Sequence, residues 1–283
     1  MGKIKDMRDY VGKAELRELD LWKAVAAEFL GTMVLVFVGT SSCLNGWTEG
    51  YAPSVVQISL CFGITLATLA QALGHISGCH VNPAVTCGML VARHISVVRS
   101  LLYIIAQCAG GLVGSAILLG VTPAERQGSL GMTSINPAVN VGQAVGFELL
   151  FTFVLVLTVF SVCDERRNDV KGSAPLAIGL SVAACHLAGV PITGASMNPA
   201  RTFGPAVVAG LWENHWVYWL GPILGGIIAA CLYEVWTTPT TISLSSPPPS
   251  RPHHNDDPND DPTSAFLVSG PKIEIVADRT TCI

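Results

Sequence analysis

The chain has 283 residues, half of them hydrophobic and 13% charged, with a formal net charge of −4. A mean hydropathy of +0.50 excludes a soluble globular protein and indicates a polytopic membrane protein. The acidity comes largely from the tail segment NDDPNDDP, and we expect neither a nucleic-acid partner nor a cofactor.

Six apolar stretches are long enough to cross the hydrocarbon core of about 30 Å as helices of about 20 residues. In chain order they are Ala24–Leu44, Pro53–Leu73, Arg99–Gly120, Val141–Val162, Ala174–Val190 and His215–Trp236. We expect residues 1–23 to precede the membrane domain, residues 24–236 to form it, and residues 237–283 to be a disordered tail rich in Pro, Ser and Asp. The last residues, Thr281, Cys282 and Ile283, either fit a carboxyl-terminal motif captured by PDZ domains or are an ordinary exposed end.

The basic residues predict the orientation in the membrane. The N-terminal segment, the loops after the second and fourth spans, and the tail together hold 14 of the 16 Lys and Arg residues. Because Lys and Arg accumulate on the cytoplasmic side of a membrane protein, we expect both termini to be cytoplasmic.

The chain contains one internal repeat. Residues 74–88, GHISGCHVNPAVTCG, match residues 190–204, VPITGASMNPARTFG, at a constant offset of 116, and paired glycines recur at an offset of 115. A unit with three spans leaves the chain on the opposite side, so the second copy is inverted about an axis in the membrane plane. We therefore predict two inverted repeats, at about 24–120 and 141–236.

Each repeat contains an Asn-Pro-Ala triplet followed by about ten apolar residues, which as a helix would cover ~15 Å, half a bilayer. Asn is a preferred N-cap and Pro suits the first helical position, so each triplet should begin a half-helix. The inverted symmetry would bring both N-termini to the midplane, around a cavity. The triplets are Asn82, Pro83 and Ala84, and Asn198, Pro199 and Ala200.

These two caps predict a site for a neutral molecule. If each Asn oxygen accepts from its own helix, its NH₂ group is free to donate, beside a positive helix-dipole end that repels cations. A single-file water that accepts from both Asn82 and Asn198 turns its neighbours in opposite senses, which disfavours a proton wire. The pattern therefore predicts passage of water without protons.

A third Asn-Pro-Ala triplet begins at Asn136, but at the repeat offset it would correspond to a position before any span. We interpret it as part of the extracellular connection between the repeats, where Asn-Pro turns the chain into the fourth span. We therefore expect Asn136 to have no role in the site.

Two glutamates lie within the apolar spans. Glu28 precedes Asn82 by 54 residues, and Glu148 precedes Asn198 by 50. Intramembrane carboxylates can mark a proton-coupled carrier. Their matched positions favour a structural role instead, as acceptors for backbone N–H groups of the loops that lead into the half-helices.

The segments AEF, GHISG, HVNPAVT, GSAPLAIGLSVA and NPARTFGPAV resemble those of the aquaporins, or major intrinsic proteins, specifically the water-selective type of animal plasma membranes. The resemblance covers roughly residues 20–236. It implies an all-α membrane protein with six transmembrane helices and two half-helices in two inverted repeats. It also implies a plasma-membrane homotetramer with one pore per subunit and water as the permeant.

The resemblance further implies a narrow extracellular filter formed by Phe62, His186, Ala195 and Arg201. Of these, Arg201 also stands out without the resemblance, because an unpaired charge in an apolar region is costly and is functional by default. Relatives that pass glycerol usually have a small residue at the position of His186. The bulky Phe62 and polar His186 therefore predict a small, hydrophilic gap.

Nine cysteines are scattered without pair spacing, so we expect neither a disulfide framework nor a metal site. Cys79 corresponds to Ala195 by the repeat offset, and we expect it to border the pore. The neighbouring His80 is expected to line the cytoplasmic vestibule.

Two other kinds of membrane protein are alternative interpretations of the sequence. A secondary transporter is also built from inverted repeats, but it needs a coupling site and a moving bundle. The spacings Gly110-x-x-x-Gly114 and Gly221-x-x-x-Gly225 predict close, static helix contacts instead. The second alternative is a structural protein of membrane junctions, which nothing in the loops demands. The sequence does not bring together a nucleophile, a base and an oxyanion site, so nothing in it indicates an enzyme.

Overall fold

The described part of the chain is helical. In this computed structural model it comprises residues 3–4, 6–167, 169 and 172–238, and none of these residues lies in a strand. Six helices are long and apolar enough to cross a membrane, which confirms the six predicted spans. The helices are α1 (Met7–Val11), α2 (Leu19–Ser41), α3 (Val55–Ser77), α4 (Pro83–Val91), α5 (Val97–Val121), α6 (Val141–Val162), α7 (Ala174–Thr193), α8 (Pro199–Ala209) and α9 (Val217–Thr237), with short 3-10 helices at Lys13–Arg17 and Ala124–Arg126.

Two of the observed helices, α2 and α3, extend at least four residues beyond the predicted spans. α2 begins at Leu19, so the end of the predicted N-terminal segment is helical, and Lys23 pairs with Asp20 at 2.8 Å in its first turns. α3 continues to Ser77 and stops where Gly78 adopts a φ of 82°. Glycine enters this left-handed region without the steric penalty that other residues suffer, so it ends a helix readily.

We call the face at which α2 begins the proximal face and the face at which α2 ends the distal face. α2, α5 and α7 run from the proximal towards the distal face, and α3, α6 and α9 run back. The short helices α4 and α8 begin in the interior, and α4 ends at the proximal face and α8 at the distal face. The two half-helices are therefore arranged head to head, as predicted.

The long helices pair within each repeat. α2 packs on α5 and α6 packs on α9, while α3 and α7 pack on each other across the repeats. A Cβ added at Gly110 or Gly114 of α5 would collide with the backbone of α2, and one at Gly225 of α9 with the backbone of α6. At Gly221 it would lie 2.8 Å from the Cβ of Glu148. The close contacts predicted from the glycine spacing are confirmed.

Candidate functional site

A narrow cavity between the two half-helices is the candidate site. The cavity has a volume of about 70 Å³, whereas about 10–15 Å³ is enough to hold one water. Its lining runs from the distal half of the molecule, through the two half-helix caps, to the proximal mouth. The lining includes Phe62, His186, Arg201, Asn198, Asn82, His80, Cys79, Leu155, Cys163 and Ala174.

Asn82 and Asn198 cap the two half-helices, as the sequence predicts. The Oδ1 of Asn82 accepts from the backbone N–H of Ala84 at 2.8 Å, and the Oδ1 of Asn198 accepts from that of Ala200 at 3.0 Å. The Pro of each triplet lies at the start of its helix, where its missing N–H costs nothing. Both helices therefore direct their positive dipole ends at the cavity.

The amide NH₂ groups of the caps are bonded across the repeats. Asn82 Nδ2 donates to the carbonyl oxygen of Met197, and Asn198 Nδ2 donates to that of Val81, both at 2.8 Å. The prediction of wholly free NH₂ groups is therefore wrong, because each loop comes close enough to accept from the opposite cap. An NH₂ group has two hydrogens, so each amide keeps one, whose direction the cross-repeat bond fixes.

Glu28 holds the loop that leads into the first half-helix. It is fully buried. Its Oε1 accepts from Ser77 Oγ at 2.6 Å and His80 N at 2.9 Å, and its Oε2 accepts from Val81 N at 2.6 Å and Gln107 Nε2 at 2.7 Å. The side chain thus accepts two backbone N–H groups that have left regular helix.

Glu148 has the same arrangement in the second repeat. Its Oε1 accepts from Thr193 Oγ1 at 2.7 Å and Ser196 N at 2.9 Å, and its Oε2 accepts from Met197 N at 2.8 Å. Both carboxylates therefore make the backbone contacts that their matched sequence positions predict. These contacts support the structural role.

The two loops have a strained backbone that no sequence pattern predicted. Cys79, Val81, Ala195 and Met197 have φ values between 43° and 51°. Left-handed φ is uncommon for residues other than glycine and is a genuine outlier for β-branched Val81. Such strain persists only where several surrounding contacts hold the backbone in the strained conformation. Here the buried glutamates and the cross-repeat bonds supply that support.

A pair of buried tyrosines also supports the loops and was missed at the sequence level. Tyr103 Oη donates to the carbonyl oxygen of Ser77, and Tyr218 Oη donates to that of Thr193, both at 2.9 Å. Each bond fixes the last residue of a helix that leads into a half-helix loop. The signal that could have found the pair is their spacing of 115 residues, which equals the offset of the paired glycines.

Three side chains of the expected filter meet near the distal end of the cavity. The rings of Phe62 and His186 stack with centroids 4.7 Å apart, and the Arg201 guanidinium lies over the Phe62 ring at 5.0 Å. Arg201 Nη1 donates to the carbonyl oxygen of Gly131 at 2.7 Å. The charge is thus held in place by a loop carbonyl and an aromatic face.

The fourth expected filter residue is placed differently. Ala195 is fully buried and is not among the residues that line the cavity. A Cβ added at Gly189 of α7 would lie 3.0 Å from the Ala195 methyl, so this methyl is directed at α7. Its repeat counterpart, Cys79, does line the cavity, beside His80.

Two histidines offer acceptor nitrogens to the cavity. His186 Nδ1 lies 3.0 Å from the carbonyl oxygen of Val182, which can only accept, so we assign the hydrogen to Nδ1. His80 Nδ1 lies 3.1 Å from Thr86 Oγ1, whose own hydrogen is directed at the carbonyl oxygen of Asn82 at 3.0 Å, and the same assignment follows. Within the described ranges, Nε2 of both rings has no hydrogen-bond partner. Each neutral ring therefore has a lone pair for a water.

The loop after α6 is fixed at the proximal mouth of the cavity. Asp164 accepts from Arg166 Nη2 at 2.6 Å and from Tyr233 Oη of α9 at 2.8 Å. Hydrogen bonding from Arg166 holds the pKa of Asp164 below its ordinary value, so the carboxylate is ionised and the loop stays bonded at neutral pH. The adjacent Cys163 lines the mouth.

The third Asn-Pro-Ala triplet lies away from the cavity. Asn136 Nδ2 donates to the carbonyl oxygen of Pro191 at 2.9 Å, and its backbone N–H donates to that of Ile192. α6 begins later, at Val141, with Asn140 as its N-cap. Asn136 also accepts from Val139 N through its carbonyl oxygen at 2.8 Å and from Ala138 N through its Oδ1 at 2.9 Å, so it forms the turn that precedes α6, as predicted, and fastens the connection between the repeats to the end of α7.

A comparison with known protein families agrees with this architecture. The family described as Major intrinsic protein matches residues 15–233. The chain belongs to this family. Among its relatives, aquaporin-4 of Mus musculus is 53% identical over 215 residues, which are 75% of this chain and 67% of that protein. Aquaporin-1 of Sus scrofa is 46% identical over 239 residues, covering 82% and 88% of the two chains.

A solved structure has the same fold. The X-ray structure of the aquaglyceroporin from Plasmodium falciparum matches with a TM-score of 0.69 and 24% sequence identity. The match covers 76% of this chain and 96% of that one. At this identity the likeness concerns the fold alone.

Proposed function

We propose that this chain is a water-selective channel, which conducts water passively along osmotic gradients and excludes protons and ions. The observation that carries the proposal is the meeting of two capped half-helices at a narrow cavity, where Asn82 and Asn198 each keep one amide hydrogen. The relatives named aquaporin-4 and aquaporin-1, at 53% and 46% identity, support the same function. It is the function of a channel and not of an enzyme.

The charges around the cavity favour a neutral permeant. Two helix N-termini, each equivalent to roughly half an elementary charge, and the Arg201 guanidinium all face the same path. The residues of the described chain that line the cavity include no Asp or Glu. A cation that enters would lose its hydration without a carboxylate to offset the loss, so it is repelled.

The hydrogen-bonding groups of the cavity favour water and disfavour a proton wire. Donors stand at the centre, on Asn82 and Asn198, and acceptors stand on either side, at Nε2 of His80 and His186. A central water that accepts from both amides has its lone pairs engaged, so it cannot accept a proton from a neighbour. Water molecules can pass this point while protons are not relayed.

The expected filter limits the size of the permeant. The Phe62 and His186 rings stack with centroids 4.7 Å apart, and the Arg201 guanidinium lies over the Phe62 ring at 5.0 Å. We propose that these three side chains form the filter and that Ala195 contributes no side chain to it. This constriction admits water and rejects glycerol.

A carrier is not favoured over a channel. The two carboxylates that could couple proton movement, Glu28 and Glu148, are engaged with loop donors in both repeats. The paired helices α2 and α5 meet at backbone distance, which favours a static bundle. Nothing observed in the described residues favours a role at membrane junctions.

We also propose the cellular arrangement. The segments assigned to the proximal side hold 14 of the 16 Lys and Arg residues. Since Lys and Arg accumulate on the cytoplasmic side, this distribution supports a cytoplasmic proximal face and two cytoplasmic termini. Plasma-membrane location and a homotetramer with one pore per subunit follow from the family resemblance. The tail and its terminal Thr281, Cys282 and Ile283 lie outside the described residues, so the proposed PDZ partner rests on the sequence alone.

The proposal is tested by osmotic flow through proteoliposomes. Vesicles with the purified protein and matched empty vesicles are mixed by stopped flow with an impermeant osmolyte and, separately, with glycerol. We expect rapid shrinkage in both cases and no re-swelling in glycerol beyond that of empty vesicles. Re-swelling as fast as that given by a glycerol channel would contradict water selectivity, and shrinkage no faster than that of empty vesicles would contradict the channel itself.

A further inference from the structure

The N-terminal segment packs against the proximal end of the first repeat. Tyr10 Oη donates to the carbonyl oxygen of Leu90, in the last turn of α4, at 3.2 Å, and the Arg93 guanidinium lies over the Tyr10 ring at 5.1 Å. A Cβ added at Gly12 would collide with the side chain of Ser96, the N-cap of α5. The segment thus contacts both the first half-helix and the start of α5.

Glu15 of this segment forms an ion pair with Arg99 of α5. Its Oε2 accepts from Arg99 Nε at 2.8 Å and lies 2.7 Å from Arg99 Nη2. The two side chains are only 19% and 24% exposed. Because partly buried pairs are screened less by salt than pairs in open solvent, this contact fixes the direction of the guanidinium.

Arg99 in turn contacts Tyr103, one turn further along α5. Arg99 Nη1 donates to Tyr103 Oη at 3.4 Å, and its guanidinium lies 5.9 Å from the centre of the Tyr103 ring. The fully buried Tyr103 donates to the carbonyl oxygen of Ser77, as described above. Its ring also meets the His80 ring edge to face, with centroids 5.3 Å apart and an interplanar angle of 77°. Direct contacts therefore lead from Glu15 to a ring that lines the cavity.

The His80 ring is held between Tyr103 and the half-helix α4. Its Nδ1 lies 3.1 Å from Thr86 Oγ1 of α4, and its Nε2 is the acceptor offered to the cavity. A displacement of Tyr103 removes one of these two supports and lets the ring turn. The acceptor then changes its direction relative to the path of the water.

We infer that Glu15 and Arg99 are positioning residues of the channel, whose ion pair holds Tyr103 and, through Tyr103, the His80 ring at the cavity. The segment that contains Glu15 is then a working part of the channel and not only a stretch that precedes it. The support is particular to the first repeat, because the residue one turn before Tyr218 is Asn214. The effect on water flow rests on the proposed water-channel function, whereas the effect on His80 does not.

The position of His80 is measured first, by nitrogen NMR of the full-length protein in lipid bilayers with labelled histidine. The His80 and His186 signals are assigned with His80→Gln and His186→Gln. Glu15→Gln keeps the shape of the side chain but removes its charge. We expect it to shift the ring-nitrogen signals of His80 and to leave those of His186, in the second repeat, unchanged.

Asp20→Asn is the matched control, because it removes the charge of another proximal ion pair. Asp20 pairs with Lys23 at 2.8 Å, and their side chains are 86% and 58% exposed. This variant should leave the His80 signals as in the wild type. Unchanged His80 signals in Glu15→Gln, or the same shift in Asp20→Asn, would overturn the inference.

A double-mutant cycle tests whether Glu15 acts through Arg99. The His80 shift of Glu15→Gln combined with Arg99→Gln should equal that of Arg99→Gln alone, whereas a sum of the two single shifts would exclude this path. If either variant is not monodisperse in detergent, Glu15→Asp or Arg99→Lys takes its place and is read in the same way. Each of these keeps the charge but loses the contact with two nitrogens of the guanidinium.

Water flow is measured second, by stopped flow in proteoliposomes, and is divided by the number of reconstituted channels. An ion pair at this exposure shifts a neighbouring equilibrium by at most roughly fivefold. We therefore expect the permeability of Glu15→Gln to fall by about two- to fivefold, and that of Asp20→Asn to match the wild type. Wild-type permeability in Glu15→Gln would overturn the link to flow. A wild type that passes no water would contradict the proposed function, while the NMR signals would still decide the positioning of His80.

Discussion

Gly226 of α9 is the most direct place to test how the half-helices are supported. A Cβ added there would lie 2.6 Å from the carbonyl oxygen of Ala84, in the first triplet, whereas ordinary contact begins at 3.4 Å. α4 and α9 would have to separate by about 0.8 Å to accept the methyl group. Gly111 stands in the same relation to Ala200, at 2.5 Å, so the support is repeated in the second triplet.

The cost of Gly226→Ala can be separated from the general effect of alanine in a helix. Overpacking by one methyl group typically lowers the free energy of unfolding by about 1–3 kcal/mol. The better helix propensity of alanine raises it by roughly 1 kcal/mol. Gly146 of α6 is the matched control, because a Cβ added there meets nothing within 4 Å. The difference between Gly226→Ala and Gly146→Ala therefore isolates the contact with Ala84, at about 1–3 kcal/mol.

The assays are thermal unfolding in detergent and stopped-flow water permeability in proteoliposomes. At roughly 2–4 °C per kcal/mol, we expect the Tm of Gly226→Ala to lie several degrees below that of Gly146→Ala. Its water permeability should also fall below the wild type, because the Asn82 cap moves relative to Asn198. Wild-type permeability together with a Tm at or above that of Gly146→Ala would refute the reasoning.

Three further predictions concern individual side chains. Arg201→Val should keep the fold and the water flow but admit cations and larger solutes, as measured by ion and urea flux, because it removes charge and bulk from the filter; unchanged exclusion would argue against this role. Asn136→Ala should leave water permeability nearly unchanged, whereas Asn82→Ala or Asn198→Ala should impair selectivity or assembly; equal losses from all three would contradict the assignment of the third triplet. A mercurial that binds one thiol should slowly inhibit water flow by reacting with Cys79 after it crosses to the proximal side. If the water permeability of Cys79→Ser is blocked as fast and as fully as that of the wild type, this prediction is wrong.

Hydropathy and the repeat offset were sufficient to predict the long helices and the two half-helices. A span in lipid must satisfy its backbone hydrogen bonds internally, so an apolar run of sufficient length is almost bound to be a helix. The caps at Asn82 and Asn198 followed from local preferences that act within a few residues. The backbone contacts of Glu28 and Glu148 followed because the repeat places each carboxylate beside an equivalent loop.

Contacts between the repeats could not be predicted in this way. The bonds from the Asn amides to the carbonyl oxygens of Val81 and Met197 join residues more than 110 positions apart, and they depend on how closely the two loops approach. The left-handed backbone at Val81 contradicts its local preference and is imposed by the tertiary structure. The assigned tautomers of His80 and His186 likewise depend on partners that only the fold brings within reach.

Measurement of water flux and proton flux on the same proteoliposomes tests the central claim most directly. Proteoliposomes that contain a pH-sensitive dye and an ionophore to dissipate membrane potential are exposed to an osmotic gradient and then to a pH gradient. We predict water flow well above that of empty vesicles, with a temperature dependence close to that of bulk water diffusion, and proton flux equal to that of empty vesicles. Proton flux that rises with the amount of protein, or water flow that requires an ion gradient, would contradict the account.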